Sequence, residues 1–132
     1  MRLLADSDFL FGLFVPTDPH YENAKRILQD VLEKGIEILT LNLVIQEVVT
    51  VLSHKAGQQM AISFKEKFHL LDMGIIFVDE ELEKSAWKIF LQQHKKGTSF
   101  VDCANLAVIE KYKLDGILSF DTFYPKEFRI GS

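Results

Sequence analysis

Four carboxylates stand where a carboxylate is out of place. Asp6 ends the apolar run Arg2-Leu-Leu-Ala5, and Asp121 ends the run Gly116-Ile-Leu-Ser-Phe120. Asp102 lies in the first turn of the stretch Ser99-Phe-Val-Asp102-Cys-Ala-Asn105-Leu-Ala-Val108, whose apolar residues recur at helical spacing. Glu47 interrupts the stripe Leu43, Glu47, Val51 at i, i+4, i+8. An ionised carboxylate buried without a partner is strongly unfavourable. Carboxylates that converge also raise one another's pKa, and a divalent cation relieves both conflicts. Hard oxygen donors with no cysteine or histidine close by favour magnesium or manganese over zinc. Such a cation activates water and offsets charge on a phosphodiester in transit. Each acid also has a plain structural role open to it. Asp6 can cap a helix, Asp121 can start a turn with Thr122, Glu47 can reach outward to solvent, and Asp102 can partner Ser99 in a capping box.

Whether the four meet depends on the elements that carry them. Residues 2–5 read as a buried first strand, after which Ser7 or Asp8 caps a short helix through Phe14, broken by Pro16. Asp18-Pro19 is a helix start, a capping acid followed by proline, with Ala24, Ile27, Leu28, Val31 and Leu32 on one face and a stop near Gly35. Ile36–Leu41 is a second strand. Thr40 or Asn42 then caps a helix to about Lys55, where a run of β-branched residues makes a strand the rival reading. A helix over Gln58–Leu71, a third strand over Ile75–Val78 and an Asp79-capped helix running toward Gly97 follow. The last elements are a helix from Ser99 to Tyr112, a strand over Gly116–Phe120 and an edge strand over Phe128–Ile130. Strands alternating with helices predict an α/β fold: a mostly parallel central sheet of four or five strands with helices on both faces. Ligands of such sheets bind beyond the carboxyl ends of the strands. Asp6 and Asp121 open onto that edge. Asp102 begins a helix that leads into the fourth strand, and Glu47 lies early in a helix that starts at the same edge, so all four converge.

The rest of the chain narrows the class. Its 132 residues form one ordinary domain, 1–132. A net charge of −4 speaks against a general duplex-DNA binder, though not against a nuclease whose own acids lower the charge. Cys103 is the only cysteine, which excludes an internal disulfide and a multi-cysteine zinc site, fits a cytoplasmic setting and reads as core. Asp6 interrupts the N-terminus too early for a signal peptide, and no apolar run approaches the roughly 18 residues of a membrane span. His94, Lys95 and Lys96 precede the Ser99 helix as candidate contacts to an RNA backbone, or as a solvated turn. His20, His54 and His69 read as surface residues rather than ligands. Val48, Val51, Met60, Phe64 and Phe68 form either ordinary core or an interface between two copies.

Leu3-Leu-Ala-Asp6-Ser-Asp8-Phe-Leu10, Val44-Ile-Gln-Glu47-Val-Val49, Ser99-Phe-Val-Asp102-Cys-Ala104 and Ile117-Leu-Ser-Phe-Asp121-Thr-Phe123 resemble, in order, the successive motifs of the PIN domain family. The likeness is greatest to the small toxins of VapC type. It implies a single PIN-like domain acting as a magnesium- or manganese-dependent endoribonuclease, with Asp6, Glu47, Asp102 and Asp121 at the family's acidic positions. Ser7 and Ser119 match small polar residues of the pattern. Asp8 stands where asparagine or another small residue is common, and Asn105 follows Asp102 on the same helix face. The resemblance also implies an RNA substrate, a small antitoxin partner that blocks the acidic cleft, and a homodimer. Two rivals share these residues: a non-catalytic binding module of the same fold, and a haloacid-dehalogenase-type phosphotransferase using Asp6 as nucleophile in Asp6-Ser-Asp8.

Overall fold

Burial on both faces explains why the first strand reads Leu-Leu-Ala without polar alternation: Leu3, Leu4 and Ala5 are all buried. Around it, a computed structural model describing residues 1–131 sets β1 (Arg2–Ala5), α1 (Ser7–Phe14), α2 (Tyr21–Glu33), β2 (Glu37–Leu41), α3 (Asn42–Lys55) and α4 (Gln58–Lys67). A 3₁₀ turn (Phe68–Leu71) follows, then β3 (Gly74–Ile76), α5 (Glu80–Leu91), α6 (Phe100–Tyr112), β4 (Gly116–Leu118) and β5 (Arg129–Ile130). The strands form one sheet in the order β3-β2-β1-β4-β5, and every pairing is parallel.

The order places the site. From β1 the chain steps outward through β2 to β3, then returns to lay β4 on the other side of β1. Crossovers between parallel strands are right-handed. Outward steps therefore put α1 to α4 on one face, and the return puts α5 and α6 on the other. The direction reverses between β1 and β4, and the crevice beyond their carboxyl ends is where such sheets take ligands. Asp6 follows β1 and Ser119 follows β4, so both stand at that switch point.

The path from β4 to the parallel β5 carries no helix; residues 119–128 loop over the sheet edge instead. Gly116 lets β5 approach, since a Cβ there would lie 2.7 Å from the Phe128 carbonyl oxygen. The loop holds Ser119, Asp121 and Tyr124.

Several boundaries differ from expectation for local reasons. The helix expected at Asp18-Pro19 begins at Tyr21, because Asp18 Oδ2 accepts the His20 N–H (3.0 Å) and the Asp18 carbonyl accepts the Tyr21 N–H (3.0 Å), making a turn first. The Val-rich segment 42–55 is helix, as buried Val44, Ile45, Val48 and Leu52 at helical spacing require. Neither Thr40 nor Asn42 caps it. The Thr40 hydroxyl donates to the Ala5 carbonyl (2.9 Å), and Asn42 Oδ1 accepts the Val78 N–H (2.9 Å). The Asp79-capped helix stops at Leu91, short of Gly97. Val48, Phe64 and Phe68 are buried within this chain, whereas Met60 and Val51 are half-buried. Cys103 is core. Among the described residues no helix is long and apolar enough to cross a membrane.

Candidate active site

Asp6 is both strand end and helix cap. Its backbone is extended (φ −89°, ψ 167°), and its side chain accepts from the first turn of α1. Oδ1 takes the Ser7 N–H (2.8 Å) and the Asn105 amide (3.1 Å), while Oδ2 takes the Ser119 hydroxyl (2.8 Å). The carboxyl is buried, and that burial, with Asp8 and then Asp102 close by, pushes its pKa up from 3.8 to about 7 against the opposing hydrogen bonds.

Asp8, two residues on, reaches across to the loop after β4: the Phe120 N–H donates to its carboxylate at 3.1 and 3.2 Å. Burial raises Asp8 to about 6, and Asp121 adds to the rise. Asp8 is thus as much a part of the cluster as the four acids expected to form it.

Asp102 starts α6. The Ser99 hydroxyl accepts its N–H at 3.0 Å, which is the serine half of the expected capping box. Its carboxylate is not used up by capping, because Oδ1 accepts the Tyr124 hydroxyl at 3.0 Å. Burial raises the Asp102 pKa, with Asp121 contributing. Tyr124 is itself buried, and its oxygen accepts the Asn105 amide at 3.0 Å. Desolvation and the two nearby aspartates hold its phenol far above the ordinary range, so it remains a neutral donor. A continuous chain Asp102–Tyr124–Asn105–Asp6 results. Asn105 Oδ1 is left buried without a partner among the described residues.

Asp121 also has two roles. Its Oδ1 accepts the Phe123 N–H (2.9 Å), the turn expected as its structural role, and its own N–H donates to Ser119 Oγ (3.0 Å). Glu47 joins from α3 through a short hydrogen bond from the Ser7 hydroxyl. The basic turn His94, Lys95, Lys96 is exposed and leads into α6; the side-chain hydrogen bond there, Thr98 to the Lys95 carbonyl, stays within the turn.

Sequence reasoning missed two residues here. Tyr124 lies in a loop whose fold-back no local pattern announces. His20, read as a surface residue, is exposed but stacks on Phe120 at 4.0 Å between ring centres and 4° between planes.

No lysine, arginine or histidine among the described residues forms an ion pair with Asp6, Asp8, Glu47, Asp102 or Asp121; the ion pairs present lie on the surface. Protons or a cation from solution must balance these acids. The donors are hard oxygens, as magnesium and manganese prefer. Among the described residues no three acidic, histidine or cysteine side chains are arranged to hold an ion by themselves. That suits a cation held by one or two carboxylates, with water and phosphate oxygens completing its shell, the usual arrangement for magnesium. The donor set fits the ion in its chemistry and charge.

A five-stranded parallel sheet with aspartates gathered at its switch point defines an α/β protein whose acids share one crevice. Residues 3–126 match the PIN domain, and the chain belongs to that family. It is similar to the 23S rRNA-specific endonuclease VapC20 of Mycobacterium tuberculosis, at 25% identity over 119 residues, covering 90% of this chain and 88% of that protein. The crystal structure of VapC20 from the same organism, described as a sarcin-ricin loop cleaving toxin, matches with a TM-score of 0.78 at 24% identity, over 90% of this chain and 89% of that one. The structural match shows a shared fold.

Proposed function

We propose that this chain is a divalent-cation-dependent endoribonuclease and the toxin of a type II toxin–antitoxin pair. The observation that carries the reading is a set of aspartates at the switch point with raised pKa values and no ion-pair partner. Similarity to an endonuclease that acts on 23S rRNA supports RNA as the substrate class. One or two of Asp6, Asp102 and Asp121 would hold magnesium or manganese, with Glu47, linked through Ser7, and Asp8 beside them. The chemistry such an ion supplies is neutralisation of charge on the phosphodiester and acidification of a water.

The chain's own residues do the rest. Asn105 and Ser119 fix Asp6 by hydrogen bonds to its two oxygens. Tyr124 holds one oxygen of Asp102 by a hydrogen bond. Asp102 or Asp121 would take the proton of the water that attacks the phosphorus in line, while the opposite ester P–O bond breaks and its leaving oxygen takes a proton from solvent. Burial raises the pKa of Asp102, and a carboxylate so raised accepts a proton more readily than an ordinary one. The amino end of α6 adds a positive dipole to a site otherwise made of acids. His94, Lys95 and Lys96, in the exposed turn that leads into α6, would contact the RNA backbone. A cytoplasmic location, a single domain over 1–132, a homodimer and a small antitoxin that covers the acids complete the proposal.

Titration calorimetry with manganese separates this function from an inert module of the same fold. Binding at pH 7.5, together with cleavage of ribosomal RNA that stops on chelation, is the expected result. Cleavage that persists in chelator, or the absence of manganese binding, would overturn it.

A further inference from the structure

Beside the acids, on the α1–α3 side, lies a recess of about 250 Å³ that the proposed hydrolysis does not use. Ser7, Asp8 and Glu47 line it as well as the acid cluster, so whatever fills it lies next to the reacting phosphate. We propose that it binds one nucleobase of the RNA, adjoining the bond that is cut, and that it favours adenine and cytosine over uracil. This inference rests on the ribonuclease reading and adds to it a site for substrate selection.

Three properties of the recess lead there. Its size comes first: drug-sized ligands occupy roughly 300–1,000 Å³, so this space suits a single ring system. Its shape comes second. His20 borders it, and one face of that imidazole is already covered by the parallel ring of Phe120 at 4.0 Å. A base seated on the remaining face would extend a stack already begun, as proteins that read single-stranded RNA do with aromatic and histidine rings. Phe11, Val48 and Val51 add apolar lining for the ring.

Polarity is the third. Asp18 and Glu47 line the recess, and carboxylate oxygens accept hydrogen bonds. Asp18 Oδ2 is engaged by the His20 N–H at 3.0 Å, and its other oxygen has no hydrogen-bond partner among the described residues. Adenine and cytosine carry amino donors, whereas the corresponding position of an unmethylated thymine, uracil, is a carbonyl acceptor. Uracil would set that carbonyl against carboxylates. Lys55 borders the recess too, with Nζ 5.9 Å from the Phe11 ring centre, placed to meet the phosphate on the far side of the bound base.

The test is nuclear magnetic resonance of the ¹⁵N-labelled chain in chelator, titrated with the trinucleotides ApApA, CpCpC and UpUpU. Expected are shifts at the backbone amides of Phe11, His20, Val48 and Val51, with ApApA and CpCpC binding at least fivefold more tightly than UpUpU. His20→Ala should weaken ApApA at least fivefold, while His20→Phe, which keeps a flat ring, should stay within twofold of the unaltered chain. Equal affinity for UpUpU, shifts confined to the acids, no binding, or unaltered binding by His20→Ala would each overturn the proposal. Cleavage with manganese is measured in parallel. Cleavage without binding at the recess removes only this inference, whereas binding without cleavage removes the ribonuclease reading.

Discussion

Replacing Asp6 with asparagine should make the cation-free protein more stable at neutral pH while abolishing its proposed activity. The Asp6 carboxyl titrates at about 7 in the fold, against 3.8 for the free group. Below pH 4 it is protonated in both folded and unfolded chains and has no effect on stability. Between pH 4 and 7 the fold holds a proton that the unfolded chain releases, so stability falls as pH rises, and above 7 the whole penalty is present. That rise in pKa corresponds to about 4 kcal/mol at 1.36 kcal/mol per unit. An amide can keep most of the hydrogen bonds. Its carbonyl takes the Ser7 N–H and the Asn105 amide in place of Oδ1. Its NH₂ meets Ser119 Oγ, whose hydrogen can turn to Asp8 Oδ1 at 3.3 Å. Weaker bonds to a neutral acceptor return part of the gain, leaving about 2 kcal/mol at pH 8, or about 6 °C in Tm for a chain of this size. At pH 5 only about 1.6 kcal/mol of the penalty remains, because the unfolded carboxyl is already ionised while the native one is not, so the advantage should fall to about zero or slightly below it. Thermal unfolding followed by circular dichroism in chelator at pH 5 and pH 8 reads this directly. An asparagine variant no more stable than the native chain at pH 8, or more stable by the same margin at pH 5, would refute the reasoning.

Two further substitutions probe the frame of the site. Tyr124→Phe keeps the buried ring and removes the hydroxyl that bridges Asp102 and Asn105. It should lower stability in urea by about 1–3 kcal/mol and, because Asp102 loses a donor that favours its charged form, move the acid limb of the pH–rate profile upward; an unchanged limb would count against the bridge. Gly116→Ala drives a Cβ to 2.7 Å from the Phe128 carbonyl and 3.2 Å from Leu3 Cδ2. Such overpacking costs about 1–3 kcal/mol and should speed amide exchange at Ile117 and Ser119, which bond to Phe128 and Ile130 of the last strand; native exchange rates would show that β5 is not held this way.

The parts of the site that sequence made legible are those fixed by local position. Asp6 and Asp102 hold their places because one ends an apolar strand and the other opens a helix, and parallel topology brings strand ends and helix starts to one edge. Glu47 was legible through its place on an apolar stripe. Contacts made by chain far away were not. Asp8 matters because the Phe120 N–H happens to face it across the switch point. Tyr124 matters because residues 119–128 fold over the edge, and His20 because a turn at Asp18 delays α2 and sets its ring on Phe120. The same competition removed Thr40 and Asn42 from capping, since the backbone of β1 and the residues after β3 claimed their side chains first.

The most direct measurement compares the native chain and Asp102→Asn on one end-labelled RNA, with manganese and with chelator, after circular dichroism has shown that both are folded. Expected is cleavage by the native chain only when manganese is present, and a loss of at least a hundredfold in the variant. Native-level cleavage by Asp102→Asn, or cleavage by the native chain in chelator, would contradict a cation-dependent centre at these acids.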